Sequence, residues 1–204
     1  MKIDAADLDK SAAYKLLTGV VVPRPIAWIS TVSPAGMTNI APFSCFTFVS
    51  AEPPMIGFNA GLRDGQRKDT VRNIVATGDF VVNVVDENLV DAMHRSAADY
   101  GPDESEIDLL GLPIVSSDFV TAPRIGSSPI GMECVLDRIV SFGRSGAEFV
   151  VGEVRRFHVA DRLLSGSRID TALLRPVARL AGPNYSTLGQ IIRTQRSEVS
   201  SSGG

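Results

Sequence analysis

Cysteine and histidine are scarce in this chain, with two of each in 204 residues. Cys45 and Cys134 are too few for a disulfide framework, and neither stands in a C-x-x-C pair. They read as small buried thiols in a reducing compartment. His94 and His158 lie far apart, which leaves no zinc set and no histidine-based triad, so no metal is expected. An excess of cations is missing too. Lys and Arg total 20 against 23 Asp and Glu, a net charge of -3, the wrong sign for a surface that tracks a nucleic-acid backbone. No apolar run approaches the roughly 20 residues that span a bilayer. Met1 to Lys10 lacks the basic-then-hydrophobic order of a signal peptide. The expected setting is the cytoplasm, with no membrane contact. There is also no G-x-G-x-x-G after a strand, no G-x-x-x-x-G-K-[ST] and no G-x-S-x-G.

What the chain does have is apolar residues. They make up 44% of it against 21% charged, with a mean hydropathy of +0.13. That excludes a disordered chain. It is also rich for a monomer of this size, which suggests that something more than a monomer core is buried. The length suits one domain, placed at 1–189, followed by a tail at 190–204 that ends in Ser200-Ser201-Ser202-Gly203-Gly204 and is expected to lack fixed structure.

Hydrophobic periodicity predicts a helix over Asp7 to Thr18, with Leu8, Ala12, Ala13, Leu16 and Leu17 as its stripe. Ile26 to Val32 reads as a buried strand and Ser33-Pro34-Ala35-Gly36 as a turn. Met37 to Ser50 is the returning arm, and Met55 to Phe58 a short strand after the break at Glu52-Pro53-Pro54. The period then changes. Asp69 to Thr77 has helical spacing, with Asp69 as its N-cap and Gly78 as its stop. Phe80 to Val85 is a strand, and Asn88 to Ala97 a helical stretch inside an acidic segment, Asp86 to Asp108, read as a solvated face. Pro129 to Phe142 and Phe149 to Val159 are strands joined by a turn at Gly143 to Gly146. Many short strands with few helices point to an α+β barrel, mainly β.

Two neighbourhoods carry polar side chains suited to binding. Asn39 to Thr47 interrupts strand residues with Asn39, Ser44, Cys45 and Thr47. Arg63 to Thr70 is the densest run of cations, at a predicted helix start. Backbone N–H groups and the positive dipole end suit a phosphate there, with Lys68 as a point charge and Thr70 as a hydroxyl. The same residues are compatible with an ordinary solvated helix start capped by Asp69, and an acidic cap opposes an anion.

Several blocks now resemble a known family. They are Pro23-Arg24-Pro25-Ile26-Ala27-Trp28-Ile29-Ser30-Thr31, Asn39-Ile40-Ala41-Pro42-Phe43-Ser44, Pro53-Pro54 and Lys68-Asp69-Thr70-Val71-Arg72-Asn73-Ile74. Phe80 to Val84, Glu106 to Leu112, and Pro176 to Gly182 with Tyr185 follow in order. The chain is similar, from about Leu17 to Gly189, to flavin reductase-like proteins, the FMN-binding split-barrel family of the flavoredoxin type. The resemblance implies a six-stranded Greek-key split β-barrel with peripheral helices, binding FMN non-covalently at a homodimer interface. It places Asn39, Ala41, Pro42, Ser44, Cys45 and Thr47 along the flavin. Lys68, Asp69 and Thr70 fall at the phosphate end, with Arg24 as a second cation, while Arg179 and Tyr185 lie in a block that approaches the ring.

The implied activity is reduction of flavin by NADH or NADPH, serving a monooxygenase or another redox partner, with no side chain making bonds itself. The other implied role is a flavin electron carrier with no nicotinamide turnover. A binding scaffold with no flavin turnover is the reading of another class. Shorter relatives that use NAD(P)H carry Gly-Asp-His before the strand that here begins at Phe149. This chain has Gly146-Ala147-Glu148, and the longer flavoredoxin-like branch also lacks that histidine.

Overall fold

The computed structural model describes residues 1–101 and 104–194. The tail expected at 190–204 therefore lies outside the described residues from 195 onward. Seven strands form one sheet: β1 (Ala27–Val32), β2 (Thr38–Phe43), β3 (Phe46–Ala51), β4 (Pro54–Ala60), β5 (Asp79–Val84), β6 (Ile130–Phe142) and β7 (Ala147–Val159). Their order is β2-β1-β5-β6-β7-β4-β3, and every neighbouring pair is antiparallel.

The order has a geometric consequence. β2 and β3 are the two outer strands, yet only Ser44 and Cys45 separate them in sequence. A link of two residues spans no more than roughly 10 Å, so the sheet is rolled until its edges meet at one corner. The edges do not pair with each other, and the barrel stays open along that seam. The resemblance implies six strands; the sheet has seven because the arm read as Met37 to Ser50 breaks at the Ser44-Cys45 corner.

Helices are few: α1 (Lys10–Val20), α2 (Asp69–Thr77), α3 (Val90–Arg95) and α4 (Glu106–Leu109), besides a single turn at Thr171–Leu174. β1 is buried on both faces, and alternation sends its side chains into two cores. Ala27 and Ile29 join Phe43, Phe58, Phe80 and Val150 inside the rolled sheet, where α2 contributes Val71 and Ile74. Ile26 and Trp28 point the other way, into a cluster with Ile40, Leu89, Met93, Ile107 and Ile125. Trp28 Nε1 donates to Ser96 Oγ at 2.8 Å, which fixes the segment after α3 against the sheet. α1 forms three residues later than its stripe predicts and buries none of its residues. Among the described residues, no helix is long and apolar enough to cross a membrane.

Candidate functional site

A cavity of about 360 Å³ lies between β2, the start of α2 and the acidic segment at 96–101 and 104–106. Asn39, Ala41, Pro42, Lys68, Asp69 and Thr70 line it, so the two neighbourhoods singled out in the sequence meet here. The acidic segment supplies the opposite wall through Ser96 to Ala98, Tyr100, Gly101, Glu104 and Glu106. That corrects the reading of Asp86 to Asp108 as a purely solvated face. Ser105 caps α4 by accepting from the Asp108 N–H at 3.3 Å, and the Ser-x-x-Asp spacing was the one sequence signal for it.

The cation run divides on folding. Arg67 turns to Glu148 on β7, donating from Nε at 3.0 Å and from Nη2 at 2.6 Å. Arg72 pairs with Asp69 one turn away. Arg63 Nη2 pairs with Asp99 at 2.5 Å. Among the described residues Lys68 forms no ion pair. Its ammonium lies 5.6 Å from the centre of the Phe43 ring. Burial, and then the charge of Arg63, lower its pKa from the ordinary lysine range, while Asp99 opposes this. Lys68, not Asp69, is the N-cap of α2, and no side chain bonds the helix start. Lys68, Asp69 and Thr70 thus line the cavity at a helix start whose N–H groups have no side-chain acceptor, beside a half-buried cation.

Behind them runs a polar network. Asn39 Nδ2 donates to both oxygens of Glu106 at 2.9 Å, and the Ile40 N–H adds a third hydrogen bond at 3.1 Å. Thr70, buried at the floor, donates to Asn39 Oδ1 at 3.0 Å. Burial pushes the Glu106 carboxyl above the usual range, and Asp69 adds to the rise against the opposing hydrogen bonds. Sequence reading named Glu106 only as the start of a matching block.

The remaining candidates lie outside the cavity lining. Ser44 and Cys45 form the corner, where the Cys45 carbonyl accepts from Asn59 N–H at 2.8 Å, and Thr47 follows on β3 with its hydroxyl on the Phe48 carbonyl. Arg24, Arg179 and Tyr185 belong to a small three-stranded sheet. Arg179 donates to the Tyr185 hydroxyl at 2.5 Å, which also meets His94 Nδ1 at 2.9 Å. Arg24 is buried and gives its guanidinium to the carbonyls of Thr18, Val21 and Leu180 at 2.7, 2.6 and 3.0 Å. Those bonds tie the end of α1 to the loop after Arg179 and engage both Nη atoms, while the buried Nε has no hydrogen-bond partner among the described residues.

The family model described as flavin reductase like domain matches residues 19–173. The chain belongs to the flavin reductase-like family. It is 42% identical to an uncharacterized protein of Halalkalibacterium halodurans, over 98% of both chains. Nitrilotriacetate monooxygenase component B from Bacillus cereus superposes with a TM-score of 0.92 at 39% identity, covering 95% of this chain and 98% of that one. Pseudomonas fluorescens 2-nitrobenzoate 2-nitroreductase does so at 0.89 and 31% identity, over 100% of both. Flavoredoxin of Desulfovibrio vulgaris, at 20% identity and a TM-score of 0.77 over 97% and 99% of the two chains, shares the fold. This family chain thus carries a mainly antiparallel flavin reductase-like sheet, with the cavity at the start of α2.

Proposed function

We propose that the chain binds FMN without a covalent bond and acts as a flavin reductase, taking hydride from NADH or NADPH and supplying reduced flavin to a partner monooxygenase. One observation carries the reading: Lys68, half-buried and outside any ion pair among the described residues, stands beside the uncapped first turn of α2 inside the cavity. That donor set suits a phosphate dianion, with direct N–H donors and a compact cation. Lys68 and the backbone N–H groups of Asp69 and Thr70 would hold the phosphate end, and Asn39, Ala41 and Pro42 the wall beside it. Ser44, Cys45 and Thr47, with Arg179 and Tyr185, would border the ring. Arg24 enters only by fixing the strand of Arg179.

Bound FMN supplies hydride and electron transfer. The chain's own part is to bind, orient and keep water out, and no side chain is assigned a bond-making step. The monooxygenase partner is supported by the likeness to a monooxygenase component B at 39% identity. The same reading makes the rolled sheet a Greek-key split barrel, working as a cytoplasmic homodimer.

A second reading, an FMN electron carrier without nicotinamide turnover, is favoured by one feature. Glu148 stands where shorter NAD(P)H-using relatives have histidine, and Arg67 holds it. Purified protein is expected to show the visible flavin band and to lose it promptly with NADH or NADPH under anaerobic conditions. Bleaching by a chemical reductant alone would select the carrier, and a colourless protein that takes up no added FMN would sink both. Lys68→Ala is expected to weaken FMN by about 2 kcal/mol and to leave riboflavin, which lacks the phosphate, nearly unchanged.

A further inference from the structure

We propose that Glu106 is a positioning residue that sets, through Asn39, whether Thr70 offers the cavity a proton or a lone pair. The inference rests on the reading of this cavity as the FMN phosphate site.

Donor and acceptor accounting carries it. An ionised carboxylate only accepts hydrogen bonds. Asn39 must therefore turn its NH2 toward Glu106, as the two 2.9 Å contacts show, and its carbonyl oxygen the other way. That oxygen also only accepts, so Thr70, 3.0 Å from it, must spend its single hydroxyl proton there. Thr31 donates to the same oxygen at 3.4 Å and accepts from Asn73 Nδ2 at 3.0 Å, so the whole chain of bonds has one polarity. Thr70 then presents only lone pairs to the cavity. Toward a phosphate dianion beside Lys68, that is a repulsive contact.

Protonation of Glu106 reverses the chain. Its new O–H donates to the Asn39 carbonyl oxygen, the amide turns over, and its NH2 donates to Thr70 Oγ. The hydroxyl proton of Thr70 is then free to bond a phosphate oxygen. One proton moves from solvent to Glu106, and no covalent bond otherwise changes. Binding of a dianion and binding of that proton thus favour each other. The charged groups sharing the cavity are Asp69 and Arg72 from α2, Lys68 and Arg63 from the segment before it, and Glu104 from Glu106's own segment. Burial, and then Asp69, favour the protonated form against the opposing hydrogen bonds.

The test is flavin affinity of the full chain, read by quenching of flavin fluorescence from about pH 5 to about pH 8. Glu106→Gln supplies the donor permanently. It is expected to bind FMN about tenfold more tightly than wild type at the alkaline end, the scale of one hydrogen bond to a charged group. The gain should vanish at the acid end, and riboflavin affinity should not change. A through-space loss of negative charge would also tighten FMN, so the decisive arm repeats the comparison in a Thr70→Val background. There the gain is expected to disappear, and its persistence overturns the proposal. Equal weakening of FMN and riboflavin by Glu106→Gln overturns it as well.

Should that variant fail to fold, wild-type calorimetry decides, using buffers of different ionisation heat near about pH 7, where the free phosphate is mainly dianionic. Net proton uptake on FMN binding, lost in Thr70→Val, supports the proposal; no uptake or net release overturns it. A wild-type chain that binds no FMN overturns the underlying reading, and FMN binding without these couplings overturns this inference alone.

Discussion

Glu133 on β6 shows how much a single carboxylate does away from the cavity. Its side chain is 0% exposed, yet it accepts from Asp118 N–H at 2.9 Å, Phe119 N–H at 2.6 Å and His158 Nε2 at 2.5 Å. Burial alone would raise its pKa, but these donors outweigh burial and hold the carboxyl below the ordinary range. A depressed folded-state pKa means stability that is present above the unfolded value and lost as pH falls through the folded one. Glu133→Gln is therefore expected to cost about 2 kcal/mol at neutral pH. In urea unfolding across a pH series, the gap from wild type should close on the acid side. The sequence showed His158 as an isolated strand-end residue. Glu133 and Asp118 stand far from it in the chain, and Asp118, Glu133 and His158 bring ligand-type atoms within 4.8 Å of one another only after folding.

At the scale of elements, two glycines set the spacing of the rolled sheet. A Cβ at Gly57 of β4 would lie 2.4 Å from the Phe149 ring, and one at Gly152 of β7 would lie 2.5 Å from the Phe80 ring. Neither glycine has a positive φ, so their role is close approach, not a turn. Gly152→Ala is expected to lower stability by about 1–3 kcal/mol through overpacking. Gly19→Ala, in a helix where a Cβ meets nothing within 4 Å, should instead stabilise by up to about 1 kcal/mol. Thermal melts of the two variants read these opposite signs.

The same scale explains what the sequence revealed. α2 was readable at its full span because its period is helical and Gly78, at φ 79, stops it. The break at Ser44-Cys45 was not, because neither residue is a glycine or proline and Pro42 falls inside β2 rather than at the corner. Asn39 was found as a polar residue interrupting apolar strand residues, and Lys68 within the densest run of cations at a helix start. Glu106 was missed because a run of acids looks solvated until one of them turns inward.

For the whole molecule, the apolar surplus in the composition has a visible counterpart. On α1, Tyr14, Leu17 and Val20 are 67%, 61% and 72% exposed, and Phe48 on β3 is 78% exposed. The proposed homodimer would cover exposed side chains of this size. Sedimentation equilibrium at micromolar concentration is expected to give a dimer, and Leu17→Glu to shift it toward monomer. A wild-type monomer under those conditions would remove the homodimer from the proposed function. Chain length and composition could suggest such pairing, but only the fold shows which faces remain free.

The seam of the rolled sheet has a further consequence, for self-association of another kind. A flat seven-stranded sheet would offer two unpaired edges as templates for fibre growth. Rolling brings both edges to one corner, and each is blunted there. On β2 the Ile40 N–H is taken by Glu106, and Pro42 has no N–H to give. On β3 a bulge between Phe48 and Ser50 disturbs the regular spacing of the ladder. The residues that shape the cavity wall thereby also protect the chain against strand-by-strand aggregation.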